Sequence, residues 1–310
     1  MNKKKHVKSP APSAPKSAAT ELLAEQPAML LDFLLAALSG RSRNSVKSIL
    51  ARGQVSVNGR PTTKYDFPLQ PGHRVIVSWA KVAERSEVKL NGLSLMHEDN
   101  DLIVVHKEAG LLSIATAQEK EQTAYRQLSD YVRRSNPSAR IFIVHRLDRD
   151  TSGVMMFAKS ERVQQLLQNE WKDAVLERTY VALVEGEVRE KEGTVKSWLK
   201  ENKAMVMYSS SKPDDGQLAI TRYKVLKTNN RASLLQVELE TGRKNQIRVH
   251  MMDIGHPVVG DKKYGSRGGS PIGRLGLHAH VLSFRHPASG ETMRFESPMP
   301  SSFLRVFREQ

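Results

Sequence analysis

"IFIVHRLDRDTSGVMMFA", residues 141 to 158, decides how the chain folds. Its two ends are short apolar runs rich in β-branched and aromatic residues, the composition of buried strands. Between them, "HRLDRDTSG" (145–153) brings Arg146, Asp148, Arg149 and Asp150 together within five positions. Ser152-Gly153 supplies a tight exit, because glycine accepts backbone conformations that other residues avoid. The stretch therefore reads as strand, charged loop, strand. A loop held at both ends by a sheet is a rigid platform for reactive groups. A carboxylate flanked there by arginines keeps its charge, which suits a nucleophile or base. The plainer reading is a surface turn whose charges pair with one another and contribute little.

On either side of it, "LIVV" (102–105), "YVALV" (180–184) and the alternating Leu235, Val237 and Leu239 are further strands. "SERVQQLLQNEW" (160–171) is a helix, with Ser160 as its cap and Val163, Leu166 and Leu167 on one face. Strands outnumber helices and do not alternate with them regularly. That pattern argues against a doubly wound parallel sheet and predicts an α+β domain over 93–310, built on a mixed, largely antiparallel sheet.

Residues 28–80 read as a separate, small α/β unit. "MLLDFLLAALS" (29–39) is one short helix and "RSRNSVKSILAR" (41–52) a second. On the second, Val46, Ile49 and Leu50 share a face, leaving Arg41, Arg43, Lys47 and Arg52 to solvent. "GQVSVNGR" (53–60) then alternates Val55 and Val57 and turns at Asn58-Gly59, a strong hairpin signal. Residues 1–27 are expected to be a basic disordered tail, since the first twenty hold no acidic residue and little to bury. Residues 81–92 read as a linker.

Composition narrows the partners. The chain has 310 residues, 48 Lys and Arg against 33 Asp and Glu, and a net charge of +15. Residues 1–80 hold twelve of the basic residues against four acidic ones, a net of +8. A surface this basic steers polyanions, nucleic acid above all. The absence of cysteine removes disulfides, thiolate nucleophiles and cysteine zinc sites together. The longest apolar run, "MLLDFLLAAL" (29–38), carries Asp32 and is too short for a membrane span. The opening residues lack the apolar stretch of a secretory signal, so a cytoplasmic protein is expected.

Two further stretches bear on the charged loop. "ELETGRKNQIRVHMMDIGHPVVGDKKYG" (238–265) runs from a strand through Thr241-Gly242 into a helix, and Asn245, Arg248 and the first main-chain donors make that helix start receptive to an anion. "RLGLHAHVLSFRHP" (274–287) is a strand flanked by basic residues. With "VHRLDRDTSGVMMFAKS" (144–160), these resemble the RluA family of pseudouridine synthases. The family's signature, His-Arg-Leu-Asp followed two residues later by Thr-Ser-Gly, is complete at His145 to Gly153. The resemblance runs from about Leu93 to the carboxyl terminus. Independently, Ser42 to Gly59 resembles the RNA-binding S-four domain, which fits members of that family.

The resemblance implies an isomerase that converts uridine to pseudouridine in structured RNA, ribosomal large-subunit RNA first and transfer RNA as the alternative. It implies that Asp148 is the catalytic aspartate. It further implies that Tyr180 packs on the target base and serves its C5 proton, and that Arg248 pairs with the aspartate. Leu277 would pack beneath the site. Arg146 and Arg149 would contact RNA beside it, as would Arg43, Lys47 and Arg52 on the basic helix. The reaction adds and oxidises nothing, so no cofactor, no metal and no obligate protein partner are expected, and the enzyme is read as a monomer. A noncatalytic RNA-binding or assembly factor is the other alternative, opposed by the joint presence of Asp148, Tyr180 and Arg248. "HRLD" is spoiled as a kinase loop by Leu147, and His278, His280 and His286 lack a carboxylate to complete a metal set.

Overall fold

The structure, a computed structural model, describes residues 19–51, 53–79, 90–265 and 270–308. The chain divides into two compact units, 1–88 and 89–310. The smaller unit contains β1 (Ala19–Leu23), β2 (Ala28–Met29), α1 (Leu30–Ala37), α2 (Arg43–Ala51), β3 (Val55–Val57), β4 (Arg60–Pro61), β5 (Pro68–Leu69) and β6 (Arg74–Ser78). β1, β6, β3 and β4 form an antiparallel sheet in that order. Asn58 and Gly59 both take positive φ, 49° and 78°, as a two-residue hairpin turn of this twist requires. The two helices bury Leu30, Leu34, Val46, Ile49 and Leu50 against Val55, Val57, Val75 and Val77 of the sheet.

The tail expected over 1–27 is shortened by this sheet. Ala19–Leu23 pairs with β6 from Ala19↔Ser78 to Leu23↔Arg74, supplying the hydrogen-bond partner that an edge strand lacks. Only Thr20 and Leu22 turn inward, too faint an alternation to read from composition. Residues 1–18, Arg52, Ala80 and most of the expected linker, 81–89, lie outside the described residues. The last linker residues belong to the larger unit: Leu90 packs on its core, and Asn91 exchanges two hydrogen bonds with Gln127, at 2.7 and 3.0 Å.

The larger unit runs β7 (Leu93–Glu98), β8 (Leu102–Lys107), α3 (Ala124–Ser135), β9 (Phe142–Ile143), β10 (Ser152–Ala158), α4 (Glu161–Asn169), α5 (Trp171–Ala174), β11 (Val175–Glu185), β12 (Glu192–Glu201), β13 (Met207–Ser210), β14 (Gln217–Thr228), β15 (Ala232–Leu239), α6 (Gln246–Asp253), β16 (Leu277–Arg285), β17 (Thr292–Glu296) and α7 (Ser301–Arg305). Its strands join one sheet in the order β13-β12-β14-β15-β11-β16-β10-β8-β7, with β17 on β16 and β9 on β10. Every pairing is antiparallel except β10 with β16. This is the mixed, largely antiparallel α+β sheet that the strand pattern predicts.

The central strands read as unbroken apolar runs because both faces are covered. Ile103, Val105, Met155 and Phe157 face Leu128 and Val132 of α3. Leu102, Val104, Val154, Met156 and Ala158 face Val163 and Leu167 of α4. Thr123 and Ser160 cap these helices by accepting the N–H groups of Arg126 and Val163. "IFIV" is a strand only at Phe142–Ile143, opposite Phe157 and Ala158. Ile141 and Val144 on either side are buried in the two different cores.

The parallel contact positions the charged loop. Ser152 pairs with His278 and Gly153 with Ala279, so the loop entering β10 and the start of β16 lie at the same end of the sheet. Tyr180 of β11 sits opposite Ala279 on the other side of β16. Among the described residues, no helix is long and apolar enough to cross a membrane.

Candidate active site

Residues 144–151 form a tightly tied loop. Leu147, 6% exposed, anchors it in the core beneath α3. Ser113 Oγ donates to the Leu147 carbonyl at 2.6 Å and accepts its N–H at 3.2 Å. The Thr151 N–H returns to the Asp148 carbonyl at 3.2 Å, closing the turn. The Arg149 carbonyl accepts the Gly110 N–H at 2.9 Å and the Lys107 ammonium at 3.0 Å. Lys107 is fully buried and spends its other donors on the Glu108 and Leu111 carbonyls, at 2.9 and 2.7 Å. Burial pulls its pKa down to about 8, against the attraction of Asp150. At the loop's entry, His145 Nε2 accepts the Met156 N–H at 3.1 Å, and burial, then the Arg178 charge, pushes the imidazole down to about 3. His145 is thus a neutral structural acceptor.

With Leu147 turned inward, Asp148 is presented to a cleft. Its side chain is 30% exposed, and one oxygen, Oδ2, accepts two hydrogen bonds. Arg248 Nη1 donates at 3.0 Å and Asn245 Nδ2 at 2.6 Å. Arg248 is one turn into α6, only 14% exposed, and its remaining donors grip Asp261 through Nε at 2.7 Å and Nη2 at 2.8 Å. Burial opposes the arginine's charge. The hydrogen bond and charge of Asp261, with Asp148 behind them, outweigh it and hold the guanidinium above its usual range. Asp261 has no exposed side-chain surface, so this is a buried ion pair satisfied on both sides. Its Oδ1 also accepts the N–H groups of Lys263 and Tyr264. The Tyr264 ring lies 5.0 Å from the Arg248 guanidinium.

Around Asp148 a small inner pocket of about 70 Å³ is lined by Tyr180, Leu277, Arg248, Asn245 and Arg146. Asp148, Arg146 and Tyr180 also line a wider cleft of about 1060 Å³ that extends past Arg178, Trp171, Lys172 and Arg243. Leu277 is 4% exposed and packs with Val237 and Ile247 under the half-buried Tyr180. Burial pushes the Tyr180 phenol up, the nearby Arg178 charge opposes this, and Asp148 adds to it. The phenol therefore keeps its proton at neutral pH.

Most of the site residues expected from the sequence converge here. Asp148, Tyr180, Arg248, Leu277 and Arg146 share the inner pocket. Arg149 is absent from the inner pocket: it is exposed, pairs with Asp150 at 3.0 Å, and lines the wider cleft and a second one of about 760 Å³ that Asp148 also borders. Arg43 and Lys47 are exposed on α2 of the smaller unit, and Arg52 lies outside the described residues. The anion-receptive start of α6 differs from expectation. Asn245 adopts a left-handed backbone, φ 54°, and the carboxylate is met by the Asn245 and Arg248 side chains, not by main-chain donors. His278 and His280 both bond the Ser297 carbonyl, while His286 lies with Asp99 and Asp101, so the three histidines do not share one site, and the carboxylates that the sequence pattern did not show stand beside His286. Asp261, Tyr264 and Lys107 were not found by reading the sequence. Lys107 had a signal: by alternation it lies on the inward face with Ile103 and Val105. Asp261 and Tyr264, in "GDKKYG", had none.

Comparison with known proteins places the chain in a family. The model of the RNA pseudouridylate synthase family matches residues 101–253, and that of the S4 domain matches residues 29–75. An uncharacterized RNA pseudouridine synthase of Mycoplasma pneumoniae is 36% identical over 89% of this chain and 91% of its own. The ribosomal large subunit pseudouridine synthase C of Escherichia coli is 32% identical over 90% of this chain and 91% of its own. Human RNA pseudouridylate synthase domain containing 1 superposes with a TM-score of 0.54 at 26% identity, over 67% of this chain and 84% of that one. The chain thus belongs to the RNA pseudouridine synthases, isomerases acting on RNA, and carries an S4 domain ahead of its synthase unit.

Proposed function

We propose that this enzyme isomerises uridines of large-subunit ribosomal RNA, with Asp148 as the catalytic carboxylate. The observation that carries the site is the meeting of Asp148, Tyr180, Arg248 and Leu277 on one pocket from four separate segments of the chain. Support for the RNA class comes from the 32% identity, across nine-tenths of the chain, to an enzyme named for the ribosomal large subunit. The basic face of α2 fits the same reading.

The chemistry breaks N1–C1′, turns the uracil and joins C5 to C1′; the C5 proton leaves to a base or solvent and N1 takes one up, so the atoms balance. No electron leaves the system, so the protein's own groups suffice. The target base first leaves its stack, which costs a few kcal/mol. Stacking on the Tyr180 ring returns roughly 1–3 kcal/mol of that. Asp148 then acts on the sugar or base as nucleophile or base, held in place by Arg248. Arg146, exposed at the cleft wall, meets the backbone around the extruded nucleotide.

Asp148→Asn is expected to abolish tritium release from 5-tritiated uridine in total RNA taken from a strain lacking the enzyme, while RNA affinity stays within about threefold. Release at the wild-type rate would sink the assignment. Pseudouridine mapping in that strain identifies the substrate: sites missing from large-subunit ribosomal RNA support the reading, and sites missing only from transfer RNA overturn it.

A further inference from the structure

We propose that Asn245 is a positioning residue for Asp148: it locks Oδ2 and so commits Oδ1 to the substrate. This rests on Asp148 being the catalytic carboxylate. The two oxygens of Asp148 are treated unequally. Oδ2 takes both the Arg248 and the Asn245 donors, whereas Oδ1 takes no hydrogen bond from the described residues. A carboxyl group held by a single donor swings about its last torsion, which is broad and roughly two-fold. Two donors arriving at one oxygen from different side chains remove that freedom.

Asn245 is built for this contact. An asparagine just before a helix ordinarily turns its side chain back onto the first N–H groups. Here no such cap bond forms, and the left-handed backbone sends the amide elsewhere. Nδ2 donates to Asp148, and Oδ1 of the amide accepts the Tyr264 hydroxyl at 3.0 Å. The Tyr264 oxygen itself accepts the Met207 N–H at 3.1 Å, leaving its proton for Asn245. That donor fixes which end of the amide faces which neighbour, since a flipped amide would set its oxygen against the carboxylate. The Gln246 side chain ties down the approach to the helix, accepting the Arg243 N–H at 3.0 Å and the Thr241 hydroxyl at 2.8 Å. The Asn245 side chain is therefore not needed to start α6. The charged and titratable groups around the pair are Arg146, Tyr180, Arg243 and Arg248 of the inner pocket, Asp150, Lys244, Asp261 and Lys263 of the neighbouring cleft, and Tyr264 and Lys107 close by, and a neutral amide donates among them without titrating.

Two variants keep the backbone and change only the side chain. Glycine and aspartate both accept a left-handed conformation. Asn245→Gly removes the donor, and a misplaced carboxylate is expected to lower kcat by roughly 10- to 100-fold with KM within about threefold. Asn245→Asp keeps the shape but sets a second carboxylate against Oδ2. Like charges that close disfavour double ionisation, so the acid limb of its kcat profile moves to higher pH than in the wild type. Both are assayed as full-length protein by tritium release from the same 5-tritiated RNA, with melting temperatures checking the fold and Asp148→Asn run alongside. If Asp148→Asn is inactive while Asn245→Gly keeps wild-type kcat and Asn245→Asp keeps the wild-type pH profile, the role of Asn245 is overturned and that of Asp148 stands. A loss confined to KM overturns it equally, as it would make Asn245 an RNA contact. If Asp148→Asn remains active, the underlying reading fails first.

Discussion

Tyr180 shows how environment assigns a residue its task. Burial and the neighbouring Asp148 raise its phenol, so at neutral pH the side chain offers a ring face and a hydroxyl donor, not a ready anion. Ring and hydroxyl separate in a pair of variants. Tyr180→Phe keeps the face, so KM is expected to hold within about threefold, while loss of the hydroxyl donor at the reacting base lowers kcat by roughly 100-fold. Tyr180→Leu loses the face as well, and roughly 1–3 kcal/mol of base stacking is then missing from binding of the extruded base. Single-turnover tritium release separates the two, and a Phe variant with wild-type kcat would confine Tyr180 to stacking. Asp148, Tyr180 and Arg248 were all readable because each sits in a recognisable local pattern. Asp261 was not, although it holds Arg248 in place. A lone Asp between glycine and lysines gives no local sign that an arginine thirteen positions earlier closes on it, and only the folded chain supplies that contact.

The elements owe their placement to a close approach that a single side chain would prevent. Gly153, at the end of the charged loop, takes φ +118°, and a Cβ there would lie 2.0 Å from the Ala279 carbonyl oxygen. The parallel pairing of β10 with β16 exists because nothing occupies that space, and this pairing brings Asp148 and Leu277 to one end of the sheet. Gly153→Ala is expected to destabilise the synthase unit by about 3 kcal/mol or more and to lower its melting temperature by several degrees. Gly290 has φ +72° but open space around it. Gly290→Ala, which carries only the backbone term, is expected to cost about 1–2 kcal/mol. Equal shifts in the two variants would show that the contact with Ala279 is not what Gly153 serves. The glycine was readable as a turn signal, while its partner was not. Strands were visible as apolar runs because their faces are buried, but strand order depends on pairings such as Gly153 with Ala279, 126 positions apart, which no local pattern encodes.

At the scale of the whole molecule the charge is unevenly spread, and its consequence is measurable in salt. Residues 1–80 carry a net charge of +8 out of +15. In the smaller unit Val46, Ile49 and Leu50 are spent on the core, so Arg43 and Lys47 of the same helix are left to solvent. Those side chains are free to meet phosphates, and each phosphate they neutralise releases counterions when RNA binds. The synthase unit has its own cores, and the hydrogen bonds of Asp148 with Asn245 and Arg248 lie within it. Removing residues 1–88 is therefore expected to weaken RNA binding while leaving kcat at saturating RNA within about threefold. The plot of log affinity against log salt becomes shallower as well, by about 0.7–0.9 for each phosphate no longer neutralised, or about 1.4–1.8 if Arg43 and Lys47 neutralise two. The double variant Arg43→Glu, Lys47→Glu in the full chain should reproduce most of the change in slope, because it removes the same two cations without shortening the protein. Filter binding of ribosomal RNA across a salt series reads both quantities, and a truncated enzyme with unchanged affinity and slope would take the smaller unit out of substrate binding altogether.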